Sequence, residues 1–354
     1  MGLFFKHQHM YKHIIRPLFF QFDPEQVHHA VVKLLKFGLS IPGSRWLINK
    51  ATSVDDPALR RELFGLHFKN PVGIAAGFDK NASVYDELGA LGFSHIEIGT
   101  VTPKGQPGNP KPRLFRLTKD KGLINRMGFN NLGLEEAVKK LRKRNTNLII
   151  GGNIGKNTAT PNDKAIDDYV TNFIGLFPVV DYFVVNVSCP NISDLHELQD
   201  QGALMKILNA IQQINLAKPK PKPVLLKVSP DLNENQLDEV IAIIKETGIQ
   251  GVVATNTSIS RHTLQHDADK AKVIGNGGLS GLPIKERSTE IIRYLASKSN
   301  NAFPIIGVGG IFTAEDAIEK IRAGADLVQV YTGFIYEGPM IAKKINKAIL
   351  KEKL

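Results

Sequence analysis

The sequence predicts an α/β fold, a (β/α)8 TIM barrel with an N-terminal two-helix extension. Eight short apolar segments alternate with helical segments, which is the element count of such a barrel. Runs such as 224–226 and 251–254 are apolar at successive positions, as expected for parallel strands covered on both faces. A doubly wound sheet is the alternative, but no Gly-x-Gly-x-x-Gly motif opens the first helix. The predicted strands span 71–75, 94–98, 147–151, 182–187, 224–228, 250–254, 304–308 and 327–331.

The N-terminal segment differs from the rest, so we predict a helical segment over 1–50 and a barrel domain over 51–354. Apolar residues recur at helical spacing over 11–22, with basic residues between them. Asp23-Pro24-Glu25 is a typical helix start, which predicts a second helix from there. Neither helix is long or apolar enough to cross a bilayer, and a signal peptide is not expected. The pair is typical of an interfacial membrane anchor, and a helical plug under the barrel is the alternative.

Composition limits the classes of partner. A chain of 354 residues can bury a large core without a metal or disulfide, and its one cysteine cannot form an internal disulfide. The formal charge of +11 favours an anionic partner, such as a membrane surface, nucleic acid or an acidic small molecule. No aromatic residues interleave the basic runs, which argues against nucleic acid.

The residues that follow the predicted strands should carry the chemistry, because the active sites of these barrels lie at that end. Uncharged hydrogen-bonding residues dominate there, together with Lys80 and Lys227. The absence of a His, Asp or Glu cluster argues against a metal site and against a two-carboxylate glycosidase. Gly309-Gly310 brings bare backbone N–H groups to the rim. Thr313 and Asp316 have the spacing of a capping box, so a helix N-terminus should point at the same spot.

A phosphate at the loops after strands seven and eight, with a lysine on strand five, suits a flavin mononucleotide (FMN). Lys227 would stabilise the negative charge of the reduced ring. Several asparagines at strand ends suggest recognition of a ring rich in amide donors and acceptors, and Lys80 suggests a substrate carboxylate. These asparagines are Asn125, Asn153, Asn186, Asn191 and Asn256.

The polar turn Asn-Val-Ser-Cys-Pro-Asn at 186–191 directly follows the fourth predicted strand. Asn is depleted in strands, and Pro190 ends ladder pairing and turns the chain outward. The only cysteine, Cys189, lies in the middle of this turn. A strand that ends in a stiff turn with a thiol predicts an active-site wall.

Eight segments, in this order, resemble the dihydroorotate dehydrogenases over essentially the whole chain. One of them reads GNPKPRLFR at 108–116, and the eight segments are specific together rather than singly. The N-terminal helical pair resembles the membrane-associated, quinone-linked branch of that family. The other segments are 75–80, 97–103, 124–130, 186–191, 255–257, 277–281 and 307–310.

The resemblance implies oxidation of (S)-dihydroorotate to orotate in pyrimidine synthesis, with FMN taking the hydride and a membrane quinone reoxidising it. It implies a peripheral protein on the cytoplasmic side of the inner membrane. The implied FMN residues are Ala76, Gly77, Thr100, Asn153, Asn186, Lys227, Thr255, Gly281, Gly310, Tyr331 and Thr332. The implied substrate residues are Lys80, Asn125, Arg126, Met127, Gly128, Phe129, Asn186, Asn191, Asn256 and Thr257. The implied quinone residues are His28, Arg116 and Tyr331.

Two positions depart from the quinone-linked pattern. The base position, usually Ser in that branch, holds Cys189, as in the soluble branch. A position that usually holds a proton-relaying Thr holds Ile192. No iron–sulfur partner is expected, because the chain lacks the cysteine-rich features of that arrangement. The alternatives are a soluble, fumarate-type dihydroorotate dehydrogenase, a flavin barrel acting on RNA, and a basic scaffold without activity.

Overall fold

The computed structural model describes residues 10–144, 146–187 and 201–354, and it contains a closed barrel of eight parallel strands. Each strand pairs with its neighbours in chain order, and the last pairs with the first. The predicted (β/α)8 fold is therefore confirmed. The strands are β1 (Val72–Ile74), β2 (His95–Val101), β3 (Ile149–Ile154), β4 (Tyr182–Val185), β5 (Val224–Val228), β6 (Gly251–Ala254), β7 (Ile305–Val308) and β8 (Leu327–Val330).

The strands bury both faces, which explains their nearly continuous apolar sequence. Along β4, Tyr182 and Val184 belong to a cluster inside the barrel, whereas Phe183 and Val185 pack against the helices outside. The covering helices are α1 (Tyr85–Ala90), α2 (Leu134–Leu141), α3 (Ala165–Leu176), α4 (Gln201–Leu216), α5 (Glu234–Thr247), α6 (Lys285–Lys298), α7 (Ala314–Arg322) and α8 (Ile341–Glu352). Two short helices, Ala268–Ile274 and Thr332–Glu337, lie between them in sequence.

The N-terminal extension contains the two predicted helical stretches and a third helix. A π-helical turn, Tyr11–Ile15, continues into Arg16–Phe19, and the long helix Pro24–Ser40 follows. Asp23 caps the long helix as predicted, because its Oδ1 accepts hydrogen bonds from the backbone N–H groups of the next turn at 3.0 and 2.9 Å. The third helix, Ser44–Thr52, runs across the predicted boundary between residues 50 and 51. No helix in the described part of the chain is both long and apolar enough to cross a membrane.

A buried ion pair holds the long N-terminal helix against the barrel. Arg113 donates from Nε to Glu25 Oε2 at 3.0 Å and from Nη2 to Oε1 at 2.7 Å. These hydrogen bonds hold the pKa of Glu25 below its usual value. Closer to the N-terminus, the Tyr11 hydroxyl donates to the Ile335 carbonyl at 2.6 Å, and Arg16 Nη1 donates to the Tyr336 carbonyl at 3.0 Å. The extension is therefore fixed to the barrel at both of its first two helical stretches.

Additional strands close the two ends of the barrel. At one end, a hairpin forms from Arg61–Leu63 and Leu66–Phe68, and its side chains pack into the cluster inside the barrel. At the opposite end, an antiparallel sheet of Leu114–Leu117, Gly122–Asn125 and Gly278–Gly281 covers part of the mouth. We did not predict this sheet or the pair Lys104–Gln106 and Asn131–Gly133.

Candidate functional site

A large cavity lies at the carboxyl ends of the barrel strands, where the sequence predicts the site. Residues after several strands, together with the antiparallel sheet over the mouth, form its walls. Most of the predicted flavin and substrate residues line it. They are Ala76, Gly77, Lys80, Thr100, Asn125, Met127, Gly128, Phe129, Asn186, Lys227, Thr255, Asn256, Thr257, Gly281, Gly310, Tyr331 and Thr332.

Polar side chains from four strands or strand ends form one hydrogen-bonded chain at the floor of this cavity. Thr100 Oγ1 donates to Asn153 Oδ1 at 2.6 Å, and Asn186 Nδ2 donates to Thr100 Oγ1 at 3.1 Å. Asn256 Nδ2 donates to Asn186 Oδ1 at 3.3 Å. Asn153 is fully buried behind Thr100 and does not line the cavity. The chain fixes the orientation of each amide, so its donors and acceptors are held ready for a polar ring.

Lys227 reaches the cavity from β5 and forms an ion pair with a buried carboxylate. Its Nζ lies 3.2 Å from Glu97 Oε1. Glu97 lies on β2, is fully buried, and was not predicted as a site residue. The signal in the sequence was a single charge within the apolar run His-Ile-Glu-Ile at 95–98.

Bare backbone forms the part of the cavity predicted to hold a phosphate. The capping box of α7 is confirmed, because Thr313 Oγ1 accepts from Asp316 N–H at 3.2 Å and Asp316 Oδ2 accepts from Thr313 N–H at 2.8 Å. Gly310 has φ +69°, and a Cβ there would lie 2.4 Å from Lys285 Cα. Gly309 and Gly310 line the cavity here, and their lack of side chains leaves room for the phosphate of a nucleotide cofactor. The N-terminus of α7 does not line the cavity as the sequence predicts, because the N–H groups of Phe312 and Thr313 already donate to Asp316 Oδ2.

A second cavity, of about 300 Å³, lies between the N-terminal helices and the barrel. Its walls are mainly apolar, with Val27, Val31 and Leu35 on one side and Phe78 and Phe334 on the other. The three predicted quinone residues, His28, Arg116 and Tyr331, all line it.

The polar groups of the second cavity are held by packing and by backbone contacts. Arg116 Nη1 donates to the Phe22 carbonyl at 2.6 Å, and its Cζ lies 4.5 Å from the Phe20 ring centroid. Burial lowers the pKa of His28 to about 4 and raises the pKa of Tyr331 to about 12. Both side chains are therefore uncharged at neutral pH. Such a cavity suits a mainly apolar ring that carries a few hydrogen-bond acceptors.

The two cavities share a wall made of Lys80, Leu114, Leu123, Met127 and Tyr331. Burial lowers the pKa of Lys80 to about 8, with the Glu25 carboxylate acting in the opposite direction. Lys80 is therefore still largely protonated at pH 7. The shared wall places a polar site with a cation directly beside an apolar one.

The family model for dihydroorotate dehydrogenase matches residues 58–354, which is most of the chain. The chain belongs to the dihydroorotate dehydrogenase family.

Individual relatives in this family match over nearly the whole chain. A protein of Christiangramia forsetii named dihydroorotate dehydrogenase (quinone) is 57% identical over 345 residues, covering 98% of this chain and 100% of the relative. One of Roseiflexus sp. with the same name is 46% identical, covering 96% of this chain and 93% of the relative. The ligand-free crystal structure of the Eimeria tenella enzyme superposes with a TM-score of 0.80 at 35% identity, covering 93% of this chain and 95% of that one.

Besides Asn153, which lies behind Thr100, three residues that the dihydroorotate dehydrogenase resemblance implied are not placed at the cavity. Arg126 lines neither cavity; its Nη1 donates to the Ile274 carbonyl at 2.7 Å, and its Cζ lies 4.7 Å from the Phe115 ring centroid. Cys189 and Asn191 lie outside the described residues. Their roles, and those of the lining residues, stay predictions.

Proposed function

We propose that this protein oxidises (S)-dihydroorotate to orotate with bound FMN and returns the electrons to a membrane quinone. The observation that carries the proposal is the pair of cavities with a shared wall, one polar and one apolar. The names of the relatives favour the quinone-linked reaction over the fumarate-type one. FMN, when bound, supplies a hydride acceptor.

The residues of the polar cavity have distinct proposed roles. Lys80 binds the substrate carboxylate, and the amides of Asn125, Asn186 and Asn256 orient the substrate ring. Cys189 takes a proton from the ring methylene, while the neighbouring carbon that bears the carboxylate gives up its hydride. The hydrogen bond from Asn186 to Thr100 limits how far its amide can rotate.

The FMN residues fit two parts of a flavin nucleotide. Gly281 and Gly310, where backbone is bare, belong to the part of the cavity proposed to hold the phosphate, and the Ser280 and Thr332 hydroxyls lie 2.9 Å apart at its edge. Lys227, which lines the same cavity, would face the flavin ring.

The proposed reaction is tested by anaerobic spectroscopy on the purified protein. Dihydroorotate should bleach the flavin absorbance, and a short-chain ubiquinone should then restore it much faster than fumarate does. A colourless protein, or a yellow one that dihydroorotate does not bleach, would contradict the proposal. Faster recovery with fumarate would favour the soluble branch instead.

We infer that the N-terminal extension binds the surface of the inner membrane from the cytoplasmic side. Most of the large apolar side chains exposed in the described part of the chain lie within residues 10–47, including Leu34, Phe37 and Trp46. Exposed basic residues such as Lys33 and Lys36 lie among them, which suits an anionic lipid surface. The apolar cavity is walled by the same extension, so quinone would enter from the lipid.

Replacing Leu34, Phe37 and Trp46 together by Ser should lower the binding of the protein to anionic vesicles about 10²- to 10⁴-fold. Each side chain is more than half exposed, and each would contribute ~1–2 kcal/mol if partly buried in lipid. Flotation with vesicles measures the loss of membrane binding. The rate of flavin reduction by dihydroorotate should be the same in the variant and the wild type. Leu216→Ser, at an apolar position equally exposed on α4, is the matched control. Equal vesicle binding by the triple variant and wild type would favour the helical plug.

Arg116→Leu should raise the KM for quinone by about 10- to 100-fold without slowing flavin reduction by dihydroorotate. The substitution removes a charged hydrogen-bond donor that lines the apolar cavity, and a hydrogen bond from such a donor to a quinone carbonyl would contribute ~1.5–3 kcal/mol. Steady-state turnover with a ubiquinone analogue measures the quinone KM. Turnover with a soluble dye as the acceptor shows whether the rest of the reaction is intact. Arg322→Leu, which breaks an exposed pair with Glu352, is the control. An unchanged quinone KM would show that Arg116 does not contribute to quinone binding.

A further inference from the structure

Glu97 is a fully buried carboxylate inside the barrel, and donors from three other strands surround it. Lys227 on β5 lies 3.2 Å from Oε1, and Asn153 Nδ2 on β3 donates to the same oxygen at 2.7 Å. Gln329 Nε2 on β8 donates to Oε2 at 3.0 Å. Both carboxylate oxygens are therefore bound by side chains that themselves lie at or next to the cavity floor.

A carboxylate in this position must be compensated, because an isolated charge is costly to bury. Lys227 supplies the compensating charge, and its side chain is 5% exposed while that of Glu97 is 0% exposed. The barrel interior would be filled more simply by an apolar residue, as it is at Val184, Leu225 and Val253 in the same barrel. The charge at position 97 therefore calls for an explanation beyond packing.

The position of the Lys227–Glu97 pair relative to the cavity explains why a charge is buried at position 97. Lys227 lines the cavity, whereas Glu97 does not and lies behind it. A ring bound in the cavity would therefore experience only part of the positive charge of Lys227, because the Glu97 carboxylate behind the lysine offsets it. The strength of this offset is large where water is excluded, since the effective dielectric constant is low there.

We propose that Glu97 is a positioning residue that sets the reduction potential of the bound flavin by offsetting the charge of Lys227. This inference rests on the proposed function, because it requires a flavin in the cavity. Lys227 alone would favour the negative charge of the reduced ring. Glu97 opposes that effect and keeps the potential low enough for electrons to pass on to an acceptor. The second contact, from Asn153, joins the pair to the amide chain of Thr100 and Asn186.

The test is the midpoint potential of the flavin in holoenzyme, measured by equilibration with redox dyes. Glu97→Gln keeps the size and a hydrogen-bonding group but removes the charge. It should shift the equilibrium about tenfold towards reduced flavin, which corresponds to ~30 mV upward for a two-electron couple. Glu97→Asp keeps the negative charge but moves it away from Lys227, so we expect a smaller upward shift of the midpoint potential. If Glu97→Gln does not fold, Glu97→Asp tests the proposal in its place.

Asp326→Asn is the matched control, because it also replaces a carboxylate by an amide within the barrel structure. Asp326 precedes β8 at the end of the barrel opposite to the cavity, where its Oδ2 accepts from Ile305 N–H at 2.8 Å. Its flavin potential should equal that of the wild type.

Two results would overturn the proposal: a shift of less than twofold in the folded, yellow Glu97 variants, or a shift towards oxidised flavin. A wild-type protein that holds no flavin, or whose flavin dihydroorotate does not reduce, would instead refute the proposed function. A wild type that dihydroorotate bleaches normally, with variants of unchanged potential, would refute only the role of Glu97.

Discussion

Cys189→Ser should fold, stay yellow and bind orotate, yet its flavin should be reduced by dihydroorotate about 10²- to 10⁴-fold more slowly at neutral pH. A positioned general base contributes a factor of that size. A free thiol titrates near pH 8.5, so a few per cent is thiolate at pH 7, whereas a serine hydroxyl titrates far higher and needs a relay. Ile192, at the position where the quinone-linked branch usually has a relaying Thr, cannot supply one.

Stopped-flow bleaching by dihydroorotate measures this effect, and the pH dependence provides a second readout. The thiolate is the reactive form, so the wild-type rate should rise with pH through one thiol-like ionisation. Orotate binding, followed by its perturbation of the flavin spectrum, is the control for an intact site. If Cys189→Ser or Cys189→Ala bleaches within about threefold of the wild type, which is well under 1 kcal/mol, the base lies elsewhere.

Lys80→Ala should lower kcat/KM for dihydroorotate by about 10²- to 10⁴-fold while the protein keeps its flavin. Removing one partner of a buried charge pair commonly costs ~3–5 kcal/mol, which corresponds to that range. Burial lowers the pKa of Lys80 to about 8, so its charge is present below that pH and is lost as the pH rises through it. The affinity of the wild type for dihydroorotate should therefore fall above about pH 8.

Lys111→Ala is the matched control for Lys80, since Lys111 Nζ also lies close to Glu25, at 3.6 Å, but is exposed and lines neither cavity. Its kcat/KM should stay within about twofold of the wild type. Titration of the oxidised protein with orotate separates binding from turnover. A colourless Lys80→Ala protein that still binds orotate normally would assign this lysine to the cofactor instead.

The barrel could be predicted from sequence because each of its strands is a short apolar run. All eight predicted strands overlap observed ones, and Thr313 caps α7 as its spacing to Asp316 predicts. The helix Ser44–Thr52 was missed because it is only nine residues long and directly follows the breaker Pro42-Gly43. Short amphipathic segments of this kind are stabilised by tertiary packing more than by their own propensity.

Contacts between distant segments could not be predicted, because local patterns do not encode them. The antiparallel sheet over the mouth joins Gly278–Gly281 to Gly122–Asn125, which lie some 150 positions apart in sequence. Glu97 was missed for the same reason: its partners come from three other strands, so the strand sequence alone shows an isolated charge. The resemblance implies Arg126 as a substrate residue, but local sequence does not show that its Nη1 donates to the distant Ile274 carbonyl.

The shared wall between the two cavities has a consequence for drug resistance. A compound that occupies the apolar cavity contacts Leu114, Leu123 and Met127, which also line the cavity proposed to bind the substrate. Under the proposed function, escape substitutions at these three positions reshape both sites, so we expect them to lower dihydroorotate turnover. Escape at Val27 or Val31, which line the apolar cavity alone, carries no such penalty. An inhibitor anchored on the shared wall would therefore leave fewer viable routes to resistance than one anchored on the N-terminal helix.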